Sequence, residues 1–155
     1  MKVYTPEAAL QICRNLGYQG GEANALHYLG ATRRLSGDYD GAAAALAAAL
    51  GIYRDIGDPG GEAEALNETG TLHRARGSLD QAEAAHRAAL ELARAIASTW
   101  DEAHALAGLG RCARAAQRTT DARDLLHQAQ EAFRTVDAEE AAAIAAELGA
   151  LANAE

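Results

Sequence analysis

Gly20–Gly30 reads GGEANALHYLG, Gly60–Gly70 reads GGEAEALNETG and Trp100–Gly110 reads WDEAHALAGLG. The three stretches start forty residues apart, and the first two agree at seven of eleven positions. Glu22/Glu62/Glu102, Ala23/Ala63/Ala103, Ala25/Ala65/Ala105, Leu26/Leu66/Leu106 and Gly30/Gly70/Gly110 recur in all three. A glycine pair before an acid invites comparison with a phosphate-cradling loop. The phrase lacks the further glycine and the Lys-Ser/Thr that such a loop uses to hold phosphates. Self-similarity at a fixed period instead marks a chain made of stacked units, each too small to bury its own apolar face.

The register continues downstream through Gly37/Gly77, Ala42/Ala82/Ala122, Ala49/Ala89/Ala129 and Arg54/Arg94/Arg134. A partial fourth copy, Glu140–Leu151, follows after a one-residue deletion. Each unit holds two helical patterns. In the first unit, Leu26, Leu29, Gly30 and Arg33 share one face over about 22–35. Ala42, Leu46, Ala49, Leu50 and Tyr53 share another over 39–56. Turn signals separate them. Gly37 and Gly77 suit the left-handed close of a helix, and Asp38 and Ser78 suit the cap of the next, with Ser78 and Gln81 spaced as a capping box. Gly57-Asp58-Pro59 supplies stop, cap and first-turn proline in order.

Composition agrees. The chain has 155 residues, 49% apolar but only 5% aromatic, and the apolar part is mostly Ala and Leu, strong helix formers. The prediction is all-α, with about eight antiparallel helices. The net charge of −8 leaves no clustered cationic surface for nucleic acid. No apolar run reaches the length of a membrane span and no signal peptide opens the chain, so a cytoplasmic location is expected. Cys13 and Cys112 read as small buried hydrophobes of a reducing compartment. The histidines form neither HxxxH nor HExxH, and no nucleophile sits beside a base, so neither an enzyme nor a metal or cofactor site is expected.

Gly30, Gly70 and Gly110 stand inside predicted helices, where each costs roughly 1 kcal/mol relative to alanine. A cost repeated in register implies a gain. The expected gain is close approach of the partner helix, with Ala42, Ala82 and Ala122 opposite.

Leu26, Leu29-Gly30, Gly37, Tyr39, Ala42 and Ala49-Leu50 follow the order of the tetratricopeptide repeat (TPR), which this sequence resembles over nearly its whole length. The usual repeat is about 34 residues, so the second helix here is lengthened through 52–58. The long form is similar to the repeats of kinesin light chains, of Pins-type adaptors, and of bacterial NB-ARC and antibiotic-pathway regulators. Arg54, Arg94 and Arg134 replace the family's late proline, and His86 stands where a large apolar residue is usual. Gln117 and Thr119 replace the turn glycine and its following aromatic, so that turn is expected to be less sharply defined.

The resemblance implies a right-handed α-α superhelix forming a single domain over 1–155. Residues 5–16 align with an orphan second helix, 17–56, 57–96 and 97–136 with full pairs, and 137–155 with a partial repeat. Open ends of this kind are expected of a segment of a longer regulator or adaptor, with end-to-end association of copies as the alternative. It also implies a non-catalytic module that binds a protein or peptide segment in its concave groove. Register places Asn24, His27, Ala31 and Arg34 on that groove, then Glu64, Asn67, Thr71 and Arg74, then His104, Ala107, Arg111 and Arg114. The recurring Arg34, Arg74 and Arg114 form an expected ladder for carboxylates or carbonyls of the bound segment. The chaperone-type carboxylate clamp is not matched, because its lysine is absent and Ala31 replaces one of its asparagines.

Overall fold

A computed structural model describes residues 5–154. They form eight helices and no strand: α1 (Pro6–Leu16), α2 (Gln19–Leu35), α3 (Tyr39–Ile56), α4 (Pro59–Ala75), α5 (Leu79–Ala95), α6 (Thr99–Ala115), α7 (Thr119–Val136) and α8 (Ala138–Asn153). The short connections fold α2/α3, α4/α5 and α6/α7 into hairpins; α1 packs on α2, and α8 on α7. In addition α2 touches α4 and α4 touches α6, while α3, α5 and α7 make no comparable contact with one another. The first helices of successive pairs are therefore crowded together on the inner side of the stack. Among the described residues no helix is long and apolar enough to cross a membrane.

Small side chains allow this crowding. Ala42, Ala82 and Ala122 are fully buried, and the larger core residues Tyr53, Phe133, Leu46 and Leu126 fill the gaps between hairpins. The helical glycines do permit close approach of the partner helix, and the Ala42 carbonyl lies 3.4 Å from a Cβ on Gly30, but the nearest atoms belong to another residue. A Cβ on Gly30 would stand 2.6 Å from Leu46 Cγ, one on Gly70 2.6 Å from His86 Nε2, and one on Gly110 2.8 Å from Leu126 Cγ. The side chain that demands the space lies one helical turn beyond the repeated alanine.

The turns repeat almost atom for atom. Gly57 N–H donates to the Arg54 carbonyl at 3.2 Å and Asp58 N–H to the Tyr53 carbonyl at 2.8 Å, with Gly57 at φ +68°. The Gln117 turn has the same two bonds, at 3.0 and 2.9 Å, with Gln117 itself at φ +59°. It is as sharply defined as the glycine turns, contrary to the sequence expectation. Hydrogen bonding and packing hold an L-residue where glycine would sit without strain. Ala97 is in the same state at φ +56°. Asp38 caps α3 through the Gly41 N–H at 2.9 Å, but Ser78 makes no side-chain cap on α5 and the proposed capping box does not form.

The arginines that replace the family's proline join one repeat to the next. Arg14–Glu22 (2.8 Å), Arg54–Glu62 (2.6 Å) and Arg94–Glu102 (2.8 Å) tie the end of each second helix to the start of the following first helix. At the fourth place the acid is replaced by Ala141, and Arg134 turns to Glu131 on its own helix at 2.5 Å. The bridge explains why Arg and Glu both persist at the period of forty.

Candidate ligand-binding groove

Four positions of each first helix were expected on the inner face, and the structure gives the three copies of each a different job. At the first of them, Asn24 accepts a hydrogen bond from the Tyr53 hydroxyl at 2.6 Å. Burial, followed by the nearby Glu64 and other like charges, pushes the Tyr53 phenol well above its ordinary value, so it stays a donor. His104 takes the same position in the third unit and stacks edge-on against Phe133, the register counterpart of Tyr53, at 4.9 Å, and against Trp100 at 4.6 Å. In the middle unit the counterpart is Ala93, too short to reach across. Glu64 is left with no hydrogen bond or ion pair among the described residues.

The second position holds His27, Asn67 and Ala107. His27 stacks edge-on with Tyr28 at 5.4 Å, and Ala107 is buried. Asn67 joins three helices: its Nδ2 donates to the Asp101 carbonyl at 3.3 Å, and its Oδ1 lies 3.0 Å from His86 Nδ1. With the amide so oriented, the Asn67 oxygen is an acceptor and His86 carries its proton on Nδ1. His86 Nε2 is then a bare acceptor, buried and without a partner. Burial, reinforced by Arg74 and then Arg111, holds the His86 imidazole down at about 4.

The third position holds Ala31, Thr71 and Arg111. Thr71 donates to the Asn67 carbonyl within its own helix at 3.1 Å, and Arg111 grips Glu147 of α8, with Nη2 at 2.6 Å and Nε at 3.1 Å from Oε1.

The fourth position carries the recurring arginines, and they are not equivalent. Arg34 reaches α4 and pairs with Glu68 at 2.5 Å, thirty-four residues ahead. For Arg74 the residue thirty-four ahead is Gly108; for Arg114, after the one-residue deletion, the counterpart is Glu147, which Arg111 engages instead. Arg74 makes no hydrogen bond or ion pair among the described residues, and its Nε is buried. Burial, then the positive charge of Arg111 and to a smaller degree Arg34, lowers the Arg74 guanidinium from its ordinary value. Arg114 is exposed and lies with Arg74, Arg111 and Glu147 at the rim.

These side chains surround one cavity of about 200 Å³ between α4 and α6. Seven of the twelve expected groove residues line it: His27, Glu64, Asn67, Thr71, Arg74, His104 and Arg111. Asn24, Ala31, Arg34, Ala107 and Arg114 do not. Glu68, His86, Trp100, Asp101 and Gly108 complete the lining without having been expected there. Two of them leave a trace in the sequence: His86 interrupts the Leu46/Leu126 series, and Gly108 stands where the other units have the larger Tyr28 and Glu68. The two are one event, since a Cβ on Gly108 would stand 2.3 Å from His86 Cε1 and 2.4 Å from its Nδ1.

No family model matches the chain, and no curated protein matches it. Solved structures do. BtubC (BKLC) from P. vanneervenii superposes with a TM-score of 0.83 at 19% identity, covering 96% of this chain and 63% of that one. The nearly identical TPR-like repeats of a Podosopora anserina "putative kinesin light chain" superpose with a TM-score of 0.70 at 15% identity, covering 83% of this chain and 64% of that one. The chain thus spans a little under two thirds of the length of each. By fold, this protein is an all-helical solenoid of the TPR-like type.

Proposed function

We propose that the chain is a non-catalytic protein-interaction module that holds a segment of a partner along the inner face of α2, α4 and α6. The observation that carries this reading is the division of labour within the repeat. Residues constant at the period of forty are for the most part buried or in caps and inter-repeat bridges, whereas eleven of the twelve residues lining the cavity, all but Arg74, vary from unit to unit. A surface whose chemistry changes along a constant scaffold suits recognition of an irregular sequence. A cleft with no activated nucleophile beside a base does not suit turnover.

The reading is tested with a photo-crosslinking residue at Thr71, inside the groove, or at Ala88, on the exposed side of α5. Partner adducts are expected from the first position and not the second. Equal yields at both places, or adducts only from Ala88, would overturn it. Self-association is a second reading, favoured by the smooth outer face of α8, where Ala142, Ala143, Ala145, Ala146 and Ala150 are exposed. A sedimentation coefficient that rises with concentration would support it, and one that stays constant would remove it.

A further inference from the structure

The cavity between α4 and α6 has its charges sorted by sign. Glu64 and Asp101 lie toward the N-terminal ends of the two helices, and Arg74 and Arg111 toward the C-terminal ends. At the acidic end, partial desolvation first, then Asp101 and Asp58, raise the carboxyl of the solvent-accessible Glu64 above its usual range, and no arginine offsets them. At the basic end, Arg111 and then Arg34 oppose the charge of Arg74, which Cys112 and Glu147 offset only in part. Such sorting destabilises the empty protein, because each end gathers charges that repel.

Both unmatched groups trace to single departures from the repeat. Glu64 lacks a partner because position 93 is alanine, where the flanking units have Tyr53 and Phe133. Arg74 lacks one because position 108 is glycine, where the preceding unit has Glu68. Gly108 is required by His86, and the buried, unpartnered Nε2 of His86 belongs to the floor of the same cavity. The contacts that engage Asn24 and His104 at one end and Arg34 at the other are therefore missing for Glu64 and Arg74, on both sides of one cleft. Trp100 lines the acidic end, an aromatic face available to a cation.

We propose that this cleft is a bipolar subsite for an extended peptide segment, with a basic side chain against Glu64 and Trp100 and an acidic side chain on Arg74. Ten residues of helix separate Glu64 from Arg74, about 15 Å at 1.5 Å per residue. An extended segment at ~3.3 Å per residue covers that span in four to five residues, which sets the spacing of the two charges. This inference rests on the groove-binding reading above and adds to it the charge pattern of the ligand.

The chain contains a single tryptophan, Trp100, and it reports on the site directly. Its fluorescence is titrated at low salt with acetyl-Lys-Ser-Gly-Ser-Gly-Glu-amide and, separately, with acetyl-Lys-Glu-Ser-Gly-Ser-Gly-amide. The first peptide is expected to bind saturably and at least threefold more tightly. Glu64→Gln and Arg74→Gln should each weaken it threefold or more, whereas Arg54→Gln, which removes an arginine of an exposed inter-repeat bridge away from the cavity, should not. A double variant, His86→Leu with Gly108→Glu, recreates the Leu46 and Glu68 pattern found between the first and second units, supplies Arg74 with an internal carboxylate and should abolish the preference for spaced charges. Equal binding of the two peptides, or unchanged affinity in both single variants with the fold intact by circular dichroism, would overturn the proposal. If the peptides fail while crosslinks still form from Thr71, the bipolar subsite falls and the groove reading stands. If crosslinks fail while the spaced peptide binds, the groove reading falls and the charge complementarity remains.

Discussion

His86 and Gly108 occupy one another's space: three atoms of the imidazole lie within 2.5 Å of where a Cβ on Gly108 would stand. His86 is only 1% exposed and is anchored to Asn67, so the ring has nowhere to go. Gly108→Ala should therefore overpack the α4–α5–α6 junction and destabilise the protein by about 1–3 kcal/mol, despite the better helix propensity of alanine. Gly149 is a helical glycine in open space, and Gly149→Ala should stabilise by up to about 1 kcal/mol. Urea denaturation of the two variants checks the opposite signs.

The same imidazole gives stability a pH dependence. His86 is held at about 4 in the folded chain, mainly by burial, against an ordinary value of 6.5. Below 6.5 the unfolded chain takes up a proton that the folded chain refuses, so stability falls as pH drops from about 6.5 toward 4 and levels off beyond. The total is on the order of 3 kcal/mol, at 1.36 kcal/mol for each unit of displacement. His27 and His104, also lowered chiefly by burial, act in the same direction. Urea midpoints measured between pH 7.5 and 4 should show the decline, and His86→Leu should make it shallower. A slope unchanged by that substitution would locate the dependence elsewhere.

Ala97 and Gln117 stand in the left-handed region that Gly57 and Gly77 fill at the equivalent turns. The backbone bonds are already made, so substitution by glycine relieves the Cβ contact without loss. Ala97→Gly and Gln117→Gly should each raise stability by about 1 kcal/mol, the left-handed penalty less the added entropy of the unfolded chain. The two turns lie twenty residues apart and share no contact, so the gains should add. A calorimetric midpoint that drops in either variant would show the strain to be absent.

Arg54–Glu62 represents the three bridges between successive repeats, and its arginine is more than half exposed. A double-mutant cycle with Arg54→Ala and Glu62→Ala should give a coupling of about 0.2–1 kcal/mol, shrinking as salt is raised. The bridge sets how one repeat meets the next more than it holds the stack together. A coupling that is large and insensitive to salt would mean the pair acts as though buried.

Much of this protein can be read from its letters because its order is local and periodic. The forty-residue register, the αL glycines, the Asp38 and Asp58 caps and the alanine faces each depend on residues within a turn or two of one another. The register also placed seven cavity residues on the inner face, since helical period alone decides which way a side chain leaves its helix. It could not say which of them would be engaged. Asn24 is taken up by Tyr53, twenty-nine residues away, and Arg34 by Glu68, thirty-four away, so the even ladder of arginines in the sequence is uneven in space.

Tertiary structure alone decided that Arg74 and Glu64 are the groups left unmatched. Pairing across adjacent helices depends on what the neighbouring unit presents at a given height, and a single glycine or alanine there withdraws the partner. The repeat and its stacking follow from propensity and period. The chemistry of the cleft follows from three helices meeting at His86, where burial and charge are set by residues far apart in the chain.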